Sequence, residues 1–153
     1  METFVKRLRQ DFPTLLFVSG DVASWSANTG QVTYTDSTAP SALWTLLHEL
    51  GHALLGHTSY ESDSNLLLKE AAAWEEALAL AKKYKQTIDT DHIQNCLDTY
   101  RDWVFKRSTC PDCGQHGVQP SQSLYSCLNC QNTWKVSSAR FCRPYRLKSA
   151  LTQ

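Results

Sequence analysis

A short run of histidines and a glutamate in this chain could hold a metal ion and perform acid–base chemistry. The residues His48-Glu49-Leu50-Gly51-His52 match the pattern H-E-x-x-H. On a helix, His48 and His52 lie on the same face one turn apart, so their imidazoles can converge on a Zn²⁺ ion. Glu49 can then reach a metal-bound water as a general base. A catalytic zinc site usually has three protein ligands and one open position, so a third ligand is predicted elsewhere.

The third ligand is best sought on the next predicted helix, which carries Glu70, Glu75 and Glu76. Glu70 shares a helical face with an apolar stripe, so its carboxylate faces the core and needs a partner such as a zinc ion. Glu75 lies about 140° around the helix from Glu70, and Glu76 lies about 120° away on the other flank. Glu70 is therefore the favoured third ligand, and Glu76 and Glu75 are the alternatives. The apolar stripe includes Ala73, Trp74, Ala77 and Ala81.

His57 is the nearest further histidine, but its spacing does not favour metal binding. On a continuing helix it would lie about 140° around from His52, on the wrong face. The pattern H-E-x-x-H-x-x-G-x-x-H does not apply either, because Leu55 and Thr58 stand at its Gly and His positions. His57 is expected to be a residue of the helix end or of the site's rim.

A second candidate metal site is formed by two cysteine pairs with the spacing C-x₂-C-x₁₃-C-x₂-C. Four thiolates in two such turns suit a tetrahedral structural zinc, and so short a segment cannot bury a core without this ion. A redox role is less favoured because no thioredoxin-like βαβ pattern surrounds the pairs. Cys96 fits a buried helix position, and Cys142 is a spare thiol or part of the ribbon's packing. The four predicted ligands are Cys110, Cys113, Cys127 and Cys130.

The elements that must position these side chains form a predicted α+β domain followed by a zinc ribbon. Periodicity and turn residues predict an N-terminal helix, a small three-stranded sheet and three longer helices. Composition changes at Ser108, which predicts an H-E-x-x-H domain over 1–107, a zinc ribbon over 108–142 and a basic tail over 143–153. The predicted helices cover 1–12, about 65–84 and about 90–106, with a further helix between a start signal at Thr38–Ser41 and a stop at Gly56. The predicted strands cover 14–19, 22–27 and 31–35, with ribbon strands near 124–125 and 133–136.

Composition and charge exclude several classes of protein. The 153 residues are 42% hydrophobic and 20% charged, as in soluble globular proteins. No apolar run approaches the roughly 20 residues of a membrane helix, and the N-terminus lacks the apolar stretch of a signal peptide. A cytoplasmic location and no membrane partner are therefore expected, and in a reducing cytosol the six cysteines suit metal binding.

The net charge of zero hides an asymmetry between the two parts of the chain. Residues 1–109 carry 10 basic and 14 acidic side chains, and residues 110–153 carry 5 and 1, which gives charges of −4 and +4. Four cations and two aromatics alternate within Arg140–Lys148, a mixture that can bind phosphates and stack on bases. The ribbon and tail thus have a nucleic acid or an acidic protein as candidate partner. A solubilising tail, or one that docks on the acidic domain, is an equally good interpretation.

The helical motifs together resemble the ImmA/IrrE family of gluzincin metallopeptidases. The resemblance rests on the run from His48 to His57, HELGHALLGH, followed by the run from Glu70 to Ala77, EAAAWEEA, and it covers roughly residues 10–85. That family pairs H-E-x-x-H with a downstream helix whose first Glu binds zinc. The resemblance therefore implies metal binding by His48, His52 and Glu70, with Glu49 as the general base.

The resemblance also implies an activity and a substrate class. It suggests a cytoplasmic zinc endopeptidase with a minimal gluzincin fold, which cleaves a protein partner such as a DNA-bound regulator or repressor. In such proteins the strand at the edge of the sheet pairs with the extended substrate. Val32–Thr35 is expected to be this edge strand. The alternative is that Val32–Thr35 is buried between neighbouring strands. Tyr60 and His92 are the candidate oxyanion donors, with ordinary surface polar residues as the alternative.

Two other interpretations compete with this one. The first is a non-catalytic adaptor that binds nucleic acid or protein on a gluzincin scaffold, but such a scaffold has no need of Glu49. The second is a SprT-like protease, which also joins H-E-x-x-H to a zinc ribbon and degrades DNA-bound proteins. That group needs a third histidine downstream, and His57, His92 and His116 do not stand in a matching context.

Overall fold

The computed structural model describes residues 1–137 and the backbone of residues 147–148, and the chain has an α+β architecture as predicted. The predicted basic tail, Cys142 and most of Arg140–Lys148 lie outside the described residues. The elements are α1 (Glu2–Asp11), β1 (Leu16–Ser19), β2 (Ser24–Ser26), β3 (Gln31–Tyr34), α2 (Pro40–Leu54), α3 (Asp63–Tyr84), α4 (Thr90–Ser108), β4 (Val118–Ser121), β5 (Leu124–Ser126), β6 (Thr133–Lys135) and β7 (Leu147–Lys148).

The described chain divides into two compact units. The first comprises Met1–Ser59 and Leu68–Asn95, and the second comprises Tyr60–Leu67 and the described residues from Cys96 onward. Helices α3 and α4 thus each contribute residues to both units. The predicted domain boundaries at residues 107 and 142 stay a prediction. Among residues 1–137, no helix has the length and apolar character that crossing a bilayer requires.

The sheet of the first unit has the strand order β1-β3-β2. Strand β3 pairs in parallel with β1 and antiparallel with β2, so that Thr33 lies opposite both Val18 and Ser24. The expectation that Val32–Thr35 forms a free sheet edge was therefore wrong. The parallel pairing of β1 places β3 at the centre, with both sides of its backbone occupied, and Val32 is fully buried. The edges belong to β1 and β2.

Helix α2 begins and ends where its sequence signals predict. Pro40 occupies the first turn, where its missing N–H removes no helical hydrogen bond. Leu46, Leu47 and Leu50 are fully buried on the core face. The helix ends at Leu54, and Gly56 adopts a left-handed φ of 63°, which reverses the chain.

Helices α3 and α4 each extend two residues beyond the predicted bounds, to Asp63 and to Ser108. The reason lies in the second unit, where Asp63 forms a buried ion pair with Arg107 at the end of α4. The guanidinium Nε lies 2.6 Å from one carboxylate oxygen, which also accepts a hydrogen bond of 2.7 Å from the Tyr125 hydroxyl. The contact between Asp63 and Arg107 thus stabilises the first turn of α3 and the last turn of α4, which the hydrophobic periodicity of the sequence did not predict.

The second unit also contains a small antiparallel sheet with the order β4-β5-β6-β7. Tyr125 lies opposite Trp134 in the β5–β6 register, and their rings stack with centroids 5.6 Å apart. These rings pack with Val136 and the buried cysteines in one apolar cluster. The indole N–H of Trp134 donates to the Arg107 carbonyl at 2.8 Å, so the strands are fixed to the end of α4. The arrangement is zinc-ribbon-like, as predicted.

Candidate metal centres

The first candidate metal centre is formed by facing turns of α2 and α3. His48 Nε2 lies 3.1 Å from His52 Nε2 and 3.2 Å from Glu70 Oε2, and His52 Nε2 lies 3.6 Å from Glu70 Oε1. His48 and Glu70 are buried, 6% and 7% exposed. The structure therefore brings together the two histidines of H-E-x-x-H and the glutamate favoured by helical phase.

These spacings fit a common metal ion. A tetrahedral ion with bonds of about 2.0 Å holds its ligand atoms about 3.3 Å apart, close to the three measured distances. Two imidazole nitrogens that face one another are unfavourable as a pair of acceptors, because neither supplies a proton to the other. A divalent cation would satisfy both nitrogens and the carboxylate, so the donor set and its geometry fit a metal centre of two histidines and one carboxylate.

Two carboxyl groups beside this centre have shifted pKa values in opposite directions. Burial alone would raise the pKa of Glu70, but hydrogen bonds from His48 and His52 outweigh burial and hold that pKa well below its ordinary value. Burial raises the pKa of Glu49 above its ordinary value, although the two imidazoles and the backbone N–H of Trp25 oppose the shift. Glu70 is thus held as an anion suited to a cation, whereas Glu49 has the increased proton affinity of a general base.

Gly51 allows the two helices to approach closely enough for this geometry. A Cβ atom on Gly51 would lie 2.5 Å from the carbonyl oxygen of Ala73, closer than real Cβ atoms come to backbone oxygens. Ala73 is fully buried and lies one turn beyond Glu70 on α3. A glycine at this place in the H-E-x-x-H turn therefore sets the distance between the two histidines and the carboxylate.

The substitution Gly51→Ala is expected to weaken metal binding at this centre. The added methyl must push α3 away from α2, which draws the Glu70 carboxylate out of reach of the imidazoles. We expect a loss of zinc affinity of about 10–100-fold, the range found when the groups supporting a metal site are altered. Competition with a chromogenic chelator measures this loss, and the cysteine centre in the same sample is the internal control. Unchanged affinity at the first centre would show that Gly51 does not set the helix separation.

The other glutamates on α3 do not join this centre. Glu75 is exposed and Glu76 is half-buried, and neither belongs to the group of ligand atoms that lie within 4.8 Å of one another. Trp74 on the same helix stacks on His48, with ring centroids 4.2 Å apart and planes inclined by 25°. Trp74 belongs to the apolar stripe from which the direction of Glu70 was predicted. Its indole also holds the imidazole of His48 in place.

The candidate oxyanion donors have different surroundings. The imidazole of His92 packs against two indoles, with centroids 5.0 Å from Trp44 and 5.7 Å from Trp74. Tyr60 belongs to the second unit, where its carbonyl accepts a hydrogen bond from Gln122. A catalytic role for either residue stays a prediction.

His57 contacts the first centre through His52, and the position of His57 in the sequence did not predict this contact. Its Nδ1 lies 2.8 Å from the Nδ1 of His52, on the side of that ring away from Glu70. The expectation of a helix-end residue agrees with the turn at Gly56, but the offset of about 140° from His52 applies only to a helix that continues past Leu54. Burial lowers the pKa of His57, with a smaller effect from the neighbouring His52. The glycine two residues after the last helical residue is the sequence signal from which the turn-back could have been inferred.

The second candidate metal centre brings the four predicted cysteines together. Cys110 Sγ lies 3.6 Å from Cys130 Sγ, and Cys113 Sγ lies 3.5 Å from Cys127 Sγ. All four sulfur atoms lie within 4.8 Å of one another. Zinc–sulfur bonds of about 2.3 Å place tetrahedral ligands roughly 3.7 Å apart, so this group also fits a metal ion. A backbone N–H from Gln115, together with the Asn129 side chain, lowers the pKa of Cys113 to about 6.

The two cysteine turns have matching backbone conformations. In each turn the residue after the second cysteine is left-handed, Gly114 with φ 75° and Gln131 with φ 62°. The backbone N–H of that residue donates to the carbonyl of the first cysteine, at 3.1 Å from Gly114 to Cys110 and at 3.0 Å from Gln131 to Cys127. Two equivalent turns therefore present their thiols to one point, as a structural site requires.

Comparisons of the chain with protein-family models, with curated proteins and with solved structures found no match.

Proposed function

We propose that this chain is a zinc-dependent endopeptidase of gluzincin type, with one catalytic and one structural Zn²⁺. The observation that carries the proposal is that Glu49, next in sequence to His48, interacts electrostatically with a group of two histidines and a carboxylate whose spacing fits one metal ion. Two imidazoles and one carboxylate suit zinc, and three protein ligands leave a position for a reactant. The resemblance of both helical motifs to the ImmA/IrrE family supports the same assignment.

The residues of the first centre have different roles in peptide hydrolysis. Zinc held by His48, His52 and Glu70 would supply a Lewis acid that polarises the scissile carbonyl and acidifies water. Glu49 takes the proton of the attacking water and passes it to the leaving amine nitrogen. Its raised pKa suits this shuttle, because a more basic carboxylate accepts the proton more readily near neutral pH. Glu70 would bind the ion as a carboxylate and so supply one negative charge to the centre.

A protein substrate would approach along β2 rather than β3. Strand β2 is an edge of the sheet, and its Trp25 backbone N–H reaches Glu49. The indole of the same residue donates to the His57 carbonyl at 2.8 Å, which fixes this strand to the end of α2. An extended peptide added to β2 would thus pass the general base. The family resemblance favours a DNA-bound regulator as the substrate, with the ribbon as a recognition module.

Metal analysis tests the ligand assignment directly. We expect two zinc ions per chain in the purified wild type and in the half-buried Glu76→Ala control, and about one in Glu70→Ala. Loss of zinc from Glu76→Ala instead, or one zinc in all three proteins, would contradict the assignment of Glu70.

Hydrolysis is tested separately, with the zinc-loaded protein incubated in a cell extract and new peptide N-termini identified by mass spectrometry. We expect new termini with the wild type that disappear on chelation and return with added zinc. A protein that carries two zinc ions but generates no new termini would favour the adaptor. Cleavage that appears only when DNA is added would favour the SprT-like alternative.

A further inference from the structure

His57 is attached to the end of α2 by a turn that directs it back onto the helix. The N–H of Gly56 donates to the Ala53 carbonyl at 3.2 Å, and the N–H of His57 donates to the His52 carbonyl at 3.0 Å. These two bonds, with a left-handed glycine between the helix and His57, form the Schellman motif that closes many helices. A residue five positions after His52 is thereby returned to the same face of the helix.

From this position, the side chain of His57 contacts His52, a predicted metal ligand. The Nδ1 atoms of His52 and His57 lie 2.8 Å apart, which requires one ring to donate and the other to accept. The Nε2 atom of His52 faces His48 and Glu70 at 3.1 and 3.6 Å, so it must carry a free lone pair if it binds a metal. A neutral imidazole has one N–H, which in His52 must then be on Nδ1. With metal bound, His52 would therefore be the donor and His57 the acceptor.

We propose that His57 is a positioning residue, which accepts the Nδ1–H of His52 and so holds that ring in the tautomer and orientation that bind metal through Nε2. The inference rests on the proposed metal centre and adds to it a residue outside the three ligands. Groups that accept the second N–H of a ligating histidine fix its orientation and increase its basicity.

The backbone of His57 is fixed on both sides, as a positioning role requires. Its N–H is bonded to His52, and its carbonyl accepts the Trp25 indole at 2.8 Å. The following loop is held by Lys69, whose ammonium donates to the Ser59 carbonyl at 2.6 Å. An acceptor placed by several independent bonds cannot follow the His52 ring if it turns, so the ring stays directed at Glu70.

His48 provides an internal contrast. Its outer nitrogen, Nδ1, is buried and has no hydrogen-bond partner among the described residues, although the ring stacks on Trp74. The two ligand rings are thus held by different means, His48 by stacking and His52 by a hydrogen bond. Removal of the His57 acceptor should therefore affect one ligand and leave the other in place.

The test compares two replacements of His57 by zinc affinity, measured by chelator competition without any substrate. In His57→Phe a ring remains but the acceptor is lost, and we expect the affinity of the first centre to fall about 10–100-fold. In His57→Asn the side-chain oxygen can take the place of Nδ1, and we expect affinity within about threefold of wild type. His116→Phe removes an exposed histidine of the second unit and is the matched control.

Equal losses in His57→Phe and His57→Asn, or no loss in either, would overturn the acceptor role. Long-range ¹H–¹⁵N NMR of the zinc-loaded wild type gives a second measurement that needs no variant. We expect His52 protonated at Nδ1 and His57 protonated at Nε2, and the opposite pattern would overturn the proposal. A protein that binds zinc with these tautomers but cleaves nothing would contradict the proposed peptidase and leave the role of His57 intact.

Discussion

Replacement of Glu49 by Gln is expected to reduce peptide hydrolysis by about 10²–10⁴-fold while both zinc ions stay bound. The amide keeps the size and shape of the side chain but cannot accept a proton near neutral pH. Glu49 is not one of the three residues that could bind the metal at the first centre, so the variant should bind zinc with the same affinity as the wild type. The rate is measured on a peptide that spans a cleavage site identified with the wild type, and zinc is measured on the same sample.

The matched control for this substitution is Glu75→Gln on the neighbouring helix. Glu75 is exposed, and its replacement removes the same charge without a contact to the metal centre. We expect its rate within about twofold of the wild type, because an exposed charge is screened by solvent. A Glu49→Gln variant that retains full activity would rule out the proposed base. If zinc were lost as well, Glu49 would have a structural role instead.

The second large effect is expected from Arg107→Met, which should lower the free energy of unfolding by about 3–5 kcal/mol. Arg107 and Asp63 are 2% and 1% exposed, and two guanidinium nitrogens lie 2.6 and 3.3 Å from the carboxylate oxygens. The guanidinium also donates to the Ser137 carbonyl and lies over the Trp103 ring. Methionine preserves most of the buried volume but leaves the buried Asp63 carboxylate without its counterion.

An exposed ion pair on the same helix is the control for this measurement. Arg101 and Asp98 approach to 2.8 Å, but their side chains are 47% and 62% exposed. Arg101→Met should therefore cost no more than about 1 kcal/mol. Chemical denaturation of the zinc-loaded proteins, followed by tryptophan fluorescence, gives both values. Similar values for the two variants would show that burial adds nothing to the Asp63–Arg107 pair.

Patterns of fixed period or spacing predicted which side chains lie together in the two candidate metal centres. The i, i+4 histidines and the helical phase of Glu70 identified three groups that the structure brings within bonding range of one ion. The spacing of the four cysteines predicted the second centre in the same way. These two groupings could be anticipated because helical phase and the spacing within a turn are local properties of the sequence. That a metal ion occupies either group stays a prediction.

Sequence analysis missed features that depend on contacts between distant elements or on the residue at which a helix ends. The central place of β3 follows from its parallel pairing with β1, which the order of strands along the chain does not determine. The contact of His57 with His52 forms because α2 ends at Leu54, whereas on a continuing helix His57 would lie on another face. Gly51 belongs to the H-E-x-x-H motif, but the need for a glycine there comes from the Ala73 carbonyl on the facing helix, which leaves no room for a Cβ atom.

The chemistry of the two centres also changes the electrostatics of the loaded protein. If the thiols start protonated, zinc on four cysteines displaces four protons and adds two positive charges, so residues 110–153 go from +4 to +2. Zinc on two neutral imidazoles and an ionised Glu70 adds two positive charges, so residues 1–109 go from −4 to −2. Counted from protonated thiols, the net charge of the chain therefore stays at zero when both centres are loaded. A polyanion that approaches the C-terminal part of the loaded protein meets half of the positive charge that the amino-acid count suggests.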